Sequence, residues 1–109
     1  IRDWIFVDDH TEVITALHKK EVKAGRYNIG GNHEITNLEL ITSVIGILKS
    51  QYDASPSIAF VEDRKGHDKR YAINMSKTNK FLNRVSSSNF EENLHKTIAW
   101  YVDNSDWWD

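Results

Sequence analysis

Strand-like runs alternate with helical patterns along this chain, and that alternation limits its fold more than any other feature. The runs are apolar or aromatic and occupy residues 4–7, 26–31 and 58–61. Helical periodicity or capping signals separate them. Such alternation is typical of α/β folds, but three short strands are too few for a complete doubly wound sheet. We predict an α/β, α+β-like arrangement of about four helices with a small sheet of short strands.

Capping signals support the predicted helices. The strongest helix follows Thr36, a predicted N-cap with Glu39 at capping-box spacing, and apolar residues recur at helical intervals over 38–48. Gly25 is expected to end the first helix, and a tight or positive-φ turn is expected at the paired glycines 30–31. The other three helices are predicted to begin with caps at Asp9, Ser76 and Asn89.

Size and composition exclude several classes of protein. The 109 residues fit a single domain, 1–109, and the net charge of −2 provides no basic field to attract nucleic acid. No apolar run of about 18 residues predicts a membrane span. The absence of cysteine excludes disulfides and thiolate zinc sites and fits a cytoplasmic protein. The chain opens on a strand-like run without methionine, so we expect a piece of a longer protein.

Standard catalytic and cofactor signatures are missing from the sequence. It contains no glycine-rich dinucleotide fingerprint, no P-loop and no tyrosine followed by lysine four residues later. Its five histidines lack the spacing of metal ligands. We therefore expect no catalytic residue, no bound cofactor and no metal site in this chain.

Binding of an anion is the chemistry that the residues favour. Asn37 begins a predicted helix, where free backbone N–H groups and the helix dipole attract phosphate. Arg64 carries a planar fork of donors suited to a diphosphate, and Gly66 lets a ligand approach the backbone. The alternatives are a polar helix start at Asn37, an exposed ion pair of Arg64 with Asp63 or Asp68, and a loop histidine at 67.

Four segments together resemble a known family. They are IRDWIFVDDH (1–10), AGRYNIGGNHEITN (24–37), DRKGHDKRYAIN (63–74) and TIAWYVDN (97–104). In this order and spacing they resemble the C-terminal part of the dTDP-glucose 4,6-dehydratase family, which is among the extended short-chain dehydrogenase/reductases. The resemblance covers practically the whole chain.

The resemblance implies the C-terminal, substrate-binding portion of an extended Rossmann-fold dehydratase. Enzymes of this family use NAD to convert dTDP-glucose to dTDP-4-keto-6-deoxyglucose, a precursor of rhamnose and other deoxysugars. The NAD site, the catalytic groups and the homodimer contact would lie in an N-terminal part. This chain alone would then be inactive and would bind dTDP-glucose or another nucleotide sugar.

The resemblance also assigns roles to particular residues. Positions 2 and 37 match contacts to the nucleotide sugar, and 63–67 match a loop that closes over the nucleotide. The sequence departs from the family at Lys65, where proline is usual, at Asn74, and at 82–89, where an LGW-x-P turn is usual. The implied substrate-binding residues are Arg2, Asn37, Asp63, Arg64, Lys65, Gly66 and His67.

Two other functions remain open at this point. One is a related epimerase or decarboxylase acting on another nucleotide sugar. The other is a non-catalytic binding or interaction domain that kept the fold. If the chain is instead the C-terminal portion of a dehydratase, its strands would normally continue a larger sheet, and it is then expected to expose an apolar face or strand edge.

Overall fold

A computed structural model describes residues 1–83 and 89–108 of the chain. The predicted architecture of four helices and a small sheet is confirmed. Within these residues no helix is long and apolar enough to cross a membrane. The elements are β1 (Arg2–Asp3), α1 (Val7–Lys19), β2 (Glu34–Ile35), α2 (Asn37–Gln51), α3 (Ser76–Leu82), α4 (Phe90–Asp103) and a final 3₁₀ turn (Ser105–Trp107).

The sheet does not use the predicted strands. β1 pairs antiparallel with β2, with Arg2 opposite Ile35, and all three predicted strands were wrong in position. A strand needs a neighbouring edge to satisfy its backbone groups, and the described part of the chain offers none to 58–61. Phe60 and Val61 in that run are 84% and 88% exposed.

The first helix begins and ends earlier than predicted. Its N-cap position is Phe6, which makes no side-chain capping bond, so the predicted cap at Asp9 is wrong. Asp9 instead lies in the first turn, where a carboxylate interacts favourably with the helix dipole. The last helical residue is Lys19, well before Gly25, because Glu21 turns the backbone to φ 48°.

The caps of α2 and α4 follow their local sequence. Thr36 accepts a hydrogen bond from the Glu39 amide at 3.1 Å, and Glu39 accepts one from the Thr36 amide at 2.7 Å, so the predicted capping box is confirmed. Asn89 caps α4 as predicted, accepting from the Glu92 amide at 3.2 Å. The Ser76 cap is displaced by one residue, since α3 begins at Ser76 after an N-cap at Met75.

The core is small and the chain is extended. Its radius of gyration is 16.8 Å, whereas a compact chain of this length has about 13 Å. An open apolar groove of about 590 Å³ lies between α2 and α4, lined by side chains that include Leu40, Val44 and Leu94. The expected exposure of apolar surface is thus confirmed. Five apolar side chains among the described residues are buried: Val13, Ile47, Met75, Leu82 and Ile98.

The paired glycines are needed for close packing and not for a left-handed turn. The predicted turn at 30–31 is wrong: neither glycine has a positive φ, and the chain bends at the next residue, Asn32, whose φ is 53°. A Cβ on Gly31 would lie 1.7 Å from the Trp4 carbonyl oxygen, and one on Gly30 would lie 2.2 Å from Asp3 Oδ2. The segment therefore lies directly against β1 and against Trp4, the residue that follows it.

Residues 84–88 fall outside the described part of the chain. The departure from the family's LGW-x-P turn, noted above at 82–89, lies mostly within that segment.

Candidate anion-binding site

Arg2 is held by residues that are distant in sequence. Its Nη1 donates to the carbonyls of Ile1 at 2.7 Å and Asp68 at 3.3 Å, and its Nη2 donates to Nε2 of His67. The guanidinium carbon lies 4.5 Å from the centre of the Tyr71 ring, a cation–π distance. Together with Asp63 these residues form what we call the Arg2 cluster: Arg2, Asp63, His67, Asp68 and Tyr71.

His67 links Arg2 to Asp63 in one hydrogen-bonded chain. A guanidinium can only donate, so Nε2 of His67 must accept and the ring proton must be on Nδ1. Nδ1 then donates to Oδ1 of Asp63 at 3.0 Å. The same oxygen accepts from the backbone N–H of Arg64 at 2.8 Å. The hydrogen bonds from His67 and from Arg64 lower the pKa of Asp63 below its usual value.

This geometry predicts the tautomer of His67. We expect neutral His67 to be the Nδ1-protonated form, because only that form accepts from Arg2 while donating to Asp63. Two-bond ¹⁵N–¹H correlations of the imidazole at pH 8 distinguish the tautomers directly. A predominantly Nε2-protonated ring would contradict the hydrogen-bonded chain, and Asp63→Ala should shift the population toward that form.

The loop at 63–67 contains a tight turn formed by residues 64–67. The His67 amide donates to the Arg64 carbonyl at 3.3 Å, and Gly66 has φ +74°, which glycine adopts without strain. Nothing would contact a Cβ at Gly66 within 4 Å, so the backbone there is open to an approaching molecule. Lys65 occupies the second turn position, at which proline is favoured. The proline of the family would therefore fit this turn.

The segment after the turn is fastened to the sheet. Arg70 donates to a carboxylate oxygen of Glu34 on β2 at 2.6 Å, and this interaction lowers the pKa of Glu34. The Tyr71 amide donates to the Ile1 carbonyl at 3.0 Å. These bonds hold residues 67–71 beside β1, which brings the Arg2 cluster together.

Three cations near the loop have no carboxylate partner within 1–83 and 89–108. The ion pairs among these residues do not include the side chain of Arg64; Asp63 pairs with His67 and accepts from Arg64 only through its backbone N–H, and Asp68 accepts from Tyr71. The alternative of an Arg64–Asp ion pair is thus not found. Lys65 is exposed. Arg2 uses three of its donors, and because a guanidinium has about five, two remain for a ligand.

Asn37 lies outside the hydrogen-bonded cluster. It is the first residue of α2, exposed, and two positions after Ile35, the residue paired with Arg2. Chain geometry then places its Cα at most about 13 Å from that of Arg2. The capping box occupies the Glu39 amide and leaves the Asn37 amide for a ligand, but it also places the Glu39 carboxylate on this first turn.

Sequence reasoning missed Asp68 and Tyr71. Both contact Arg2 across more than 60 residues of chain, and no periodicity or spacing connects such distant positions. For metal binding, the described residues contain no group of three or more acidic, histidine or cysteine side chains that could hold an ion.

The chain corresponds to a portion of a Rossmann-fold enzyme. Its structure is similar to the crystal structure of dTDP-glucose 4,6-dehydratase from Bacillus anthracis in complex with NAD, with a TM-score of 0.81 and 38% identity. The match covers 97% of this chain and 32% of that one. No protein-family model matches the chain.

The chain is also similar in sequence to curated proteins named dTDP-glucose 4,6-dehydratase. The dTDP-glucose 4,6-dehydratase of Neisseria meningitidis is 37% identical over 116 aligned residues, which cover 99% of this chain and 33% of the relative. That of Escherichia coli is 38% identical, covering 99% of this chain and 32% of the relative. The resemblance is confirmed: this chain matches the C-terminal part of dTDP-glucose 4,6-dehydratases and spans about a third of their length.

Proposed function

We propose that residues 1–109 form one C-terminal domain that binds the nucleotide-diphosphate part of a dTDP-sugar. The observation that carries this proposal is the state of Arg2. Its guanidinium is held on several sides by neutral groups, two carbonyls, an imidazole and an aromatic ring, so its positive charge is fixed but not neutralised. A fixed, unpaired guanidinium suits a diphosphate, which accepts two parallel hydrogen bonds.

The other proposed substrate-binding residues have different roles in the site. Arg64 and Lys65 add exposed positive charge beside Arg2, and Gly66 allows the loop backbone to approach the ligand. Asp63 and His67 act by holding the loop to Arg2. The Asn37 amide and side chain offer donors from the start of α2.

The proposed reaction belongs to the whole enzyme of which this domain would be a part. A dTDP-glucose 4,6-dehydratase converts dTDP-glucose to dTDP-4-keto-6-deoxyglucose, and NAD supplies the oxidation at C4 and the return of hydride to C6. The solved relative holds NAD and is about three times as long as this chain, which supports NAD binding by another part of the enzyme.

We further propose a homodimer formed through that part. We also propose a cytoplasmic location, which is supported by the lack of cysteine.

An amide NMR titration with thymidine diphosphate tests the proposal. We expect saturable shifts at Asn37, Gly66 and His67, because the proposed diphosphate site uses the start of α2 and the loop at 63–67. Arg64→Ala should weaken binding about 10-fold, which corresponds to one lost charge-assisted hydrogen bond.

Two controls separate diphosphate recognition from general charge effects. Arg26→Ala removes an exposed arginine on the segment whose backbone contacts α3, and it should leave the affinity within about 2-fold of the original. Thymidine without phosphates should produce no saturable shifts at the loop. Equal affinities of Arg64→Ala and the unmodified chain, or no shifts up to millimolar thymidine diphosphate, would contradict the proposal.

A further inference from the structure

We propose that Tyr71 is a positioning residue that sets the orientation of the Arg2 guanidinium for the diphosphate. This inference rests on the proposed function, because it assigns Tyr71 a role in the same site. The guanidinium carbon of Arg2 lies 4.5 Å from the centre of the Tyr71 ring. At that distance the negative face of the ring attracts the cation and restricts its movement.

Tyr71 is also hydrogen-bonded to both residues whose carbonyls accept from Nη1 of Arg2, Ile1 and Asp68. Its amide donates to the Ile1 carbonyl at 3.0 Å, and that same carbonyl accepts from Nη1 at 2.7 Å. Its hydroxyl donates to Oδ2 of Asp68 at 2.6 Å, and the Asp68 carbonyl also accepts from Nη1. Only the contact of Nη2 with His67 is independent of Tyr71.

The arrangement fixes which part of Arg2 faces a ligand. The guanidinium lies over the Tyr71 ring and the two carbonyls occupy Nη1, so Nε and the second hydrogen of Nη2 remain for an anion. The hydrogen bond from the Tyr71 hydroxyl to the Asp68 carboxylate raises the pKa of Tyr71. An arginine that is already ordered loses less side-chain freedom when it binds.

Substitutions at position 71 test the ring and the hydroxyl separately. Tyr71→Leu removes the ring and should weaken binding of thymidine diphosphate about 5- to 20-fold. Tyr71→Phe keeps the ring and should stay within about 3-fold. The matched control is Tyr101→Leu, since Tyr101 on α4 is 45% exposed and Tyr71 is 49% exposed, and it should leave the affinity unchanged.

A double variant distinguishes positioning from a general effect on folding. With Arg2→Lys already present, Tyr71→Leu should add less than about 2-fold, because the residue it positions is gone. If Tyr71→Leu does not fold, Tyr71→pentafluorophenylalanine replaces it. That side chain keeps a ring of similar size but withdraws electron density from its face, so it should weaken binding as leucine does.

The proton NMR chemical shift of the Arg2 Nε–H reports the position of the guanidinium without any ligand. We expect it to be shifted by the ring current of residue 71 in the unmodified chain and in Tyr71→Phe, and to move to the position of a free arginine in Tyr71→Leu. Unchanged affinity or an unchanged Arg2 signal in Tyr71→Leu would overturn the inference. If the unmodified chain fails to bind thymidine diphosphate, the proposed function fails, and the Arg2 signal still decides whether Tyr71 positions the guanidinium.

Discussion

Gly31→Ala is expected to destabilise this chain by at least about 3 kcal/mol. The added Cβ would lie 1.7 Å from the Trp4 carbonyl oxygen and 2.7 Å from its carbonyl carbon. Both are backbone atoms, so no side-chain rotation relieves the overlap. Either β1 or the segment before β2 must move. Native domains are stable by only about 5–15 kcal/mol, and this one has a small core, so we expect loss of cooperative folding.

Urea denaturation followed by circular dichroism measures the effect, and two other glycines are matched controls. Gly46 lies inside α2, and an added Cβ there would have no neighbour within 4 Å, so Gly46→Ala should stabilise the chain by about 0.5–1 kcal/mol. Gly66→Ala should cost about 1–2 kcal/mol because of its φ of +74°. A Gly31→Ala midpoint equal to that of Gly46→Ala would show that the segment does not lie against the Trp4 backbone.

The helical part of the fold could be predicted because its signals are local. Thr36 and Glu39 are three residues apart, and the side chain of each accepts from the backbone N–H of the other. The local sequence therefore contains the whole cap. Asn89 likewise accepts from the Glu92 amide three residues on, but that cap is one-sided, because the Glu92 carboxylate pairs with Lys96. The boundaries of α1 were less accurate, because the helix starts without a capping side chain.

The strands could not be placed from the sequence because a strand depends on a distant partner. An apolar run at 58–61 has strand composition, yet it pairs with nothing in the described chain, while Arg2–Asp3 forms a strand because Glu34–Ile35 lies beside it. The glycines at 30–31 illustrate the same limit. Their role comes from the position of the Trp4 backbone, which no local pattern reveals.

The residues of the candidate site came from two kinds of sequence argument, residue chemistry and family resemblance. Helix-terminus and guanidinium chemistry pointed to Asn37 and Arg64, whereas Arg2 and the complete loop came only from the family resemblance. Neither source indicated that Arg2, His67 and Asp63 form one hydrogen-bonded chain. That chain joins β1 to the loop, so the proposed anion site and the packing of the loop against β1 depend on the same contacts.

Arg2→Gln is expected to weaken binding of thymidine diphosphate about 100-fold. Two donors of Arg2 remain for the diphosphate, and hydrogen bonds to charged groups contribute about 1.5–3 kcal/mol each. Loss of both predicts roughly 3 kcal/mol or more, which corresponds to that change in Kd. Isothermal titration at fixed ionic strength measures it, because the contribution of exposed charges depends on salt.

The comparison of Arg2→Gln with Arg2→Lys and Arg26→Gln identifies the cause. Arg26→Gln makes the same change in charge on an exposed arginine and should alter Kd by less than about 2-fold. Arg2→Lys keeps the charge but loses the planar fork and the stacking on Tyr71, so it should weaken binding about 10-fold. If Arg2→Lys binds as tightly as the unmodified chain, then a positive charge alone is sufficient at this position, and neither the fork geometry nor its orientation by Tyr71 contributes to recognition.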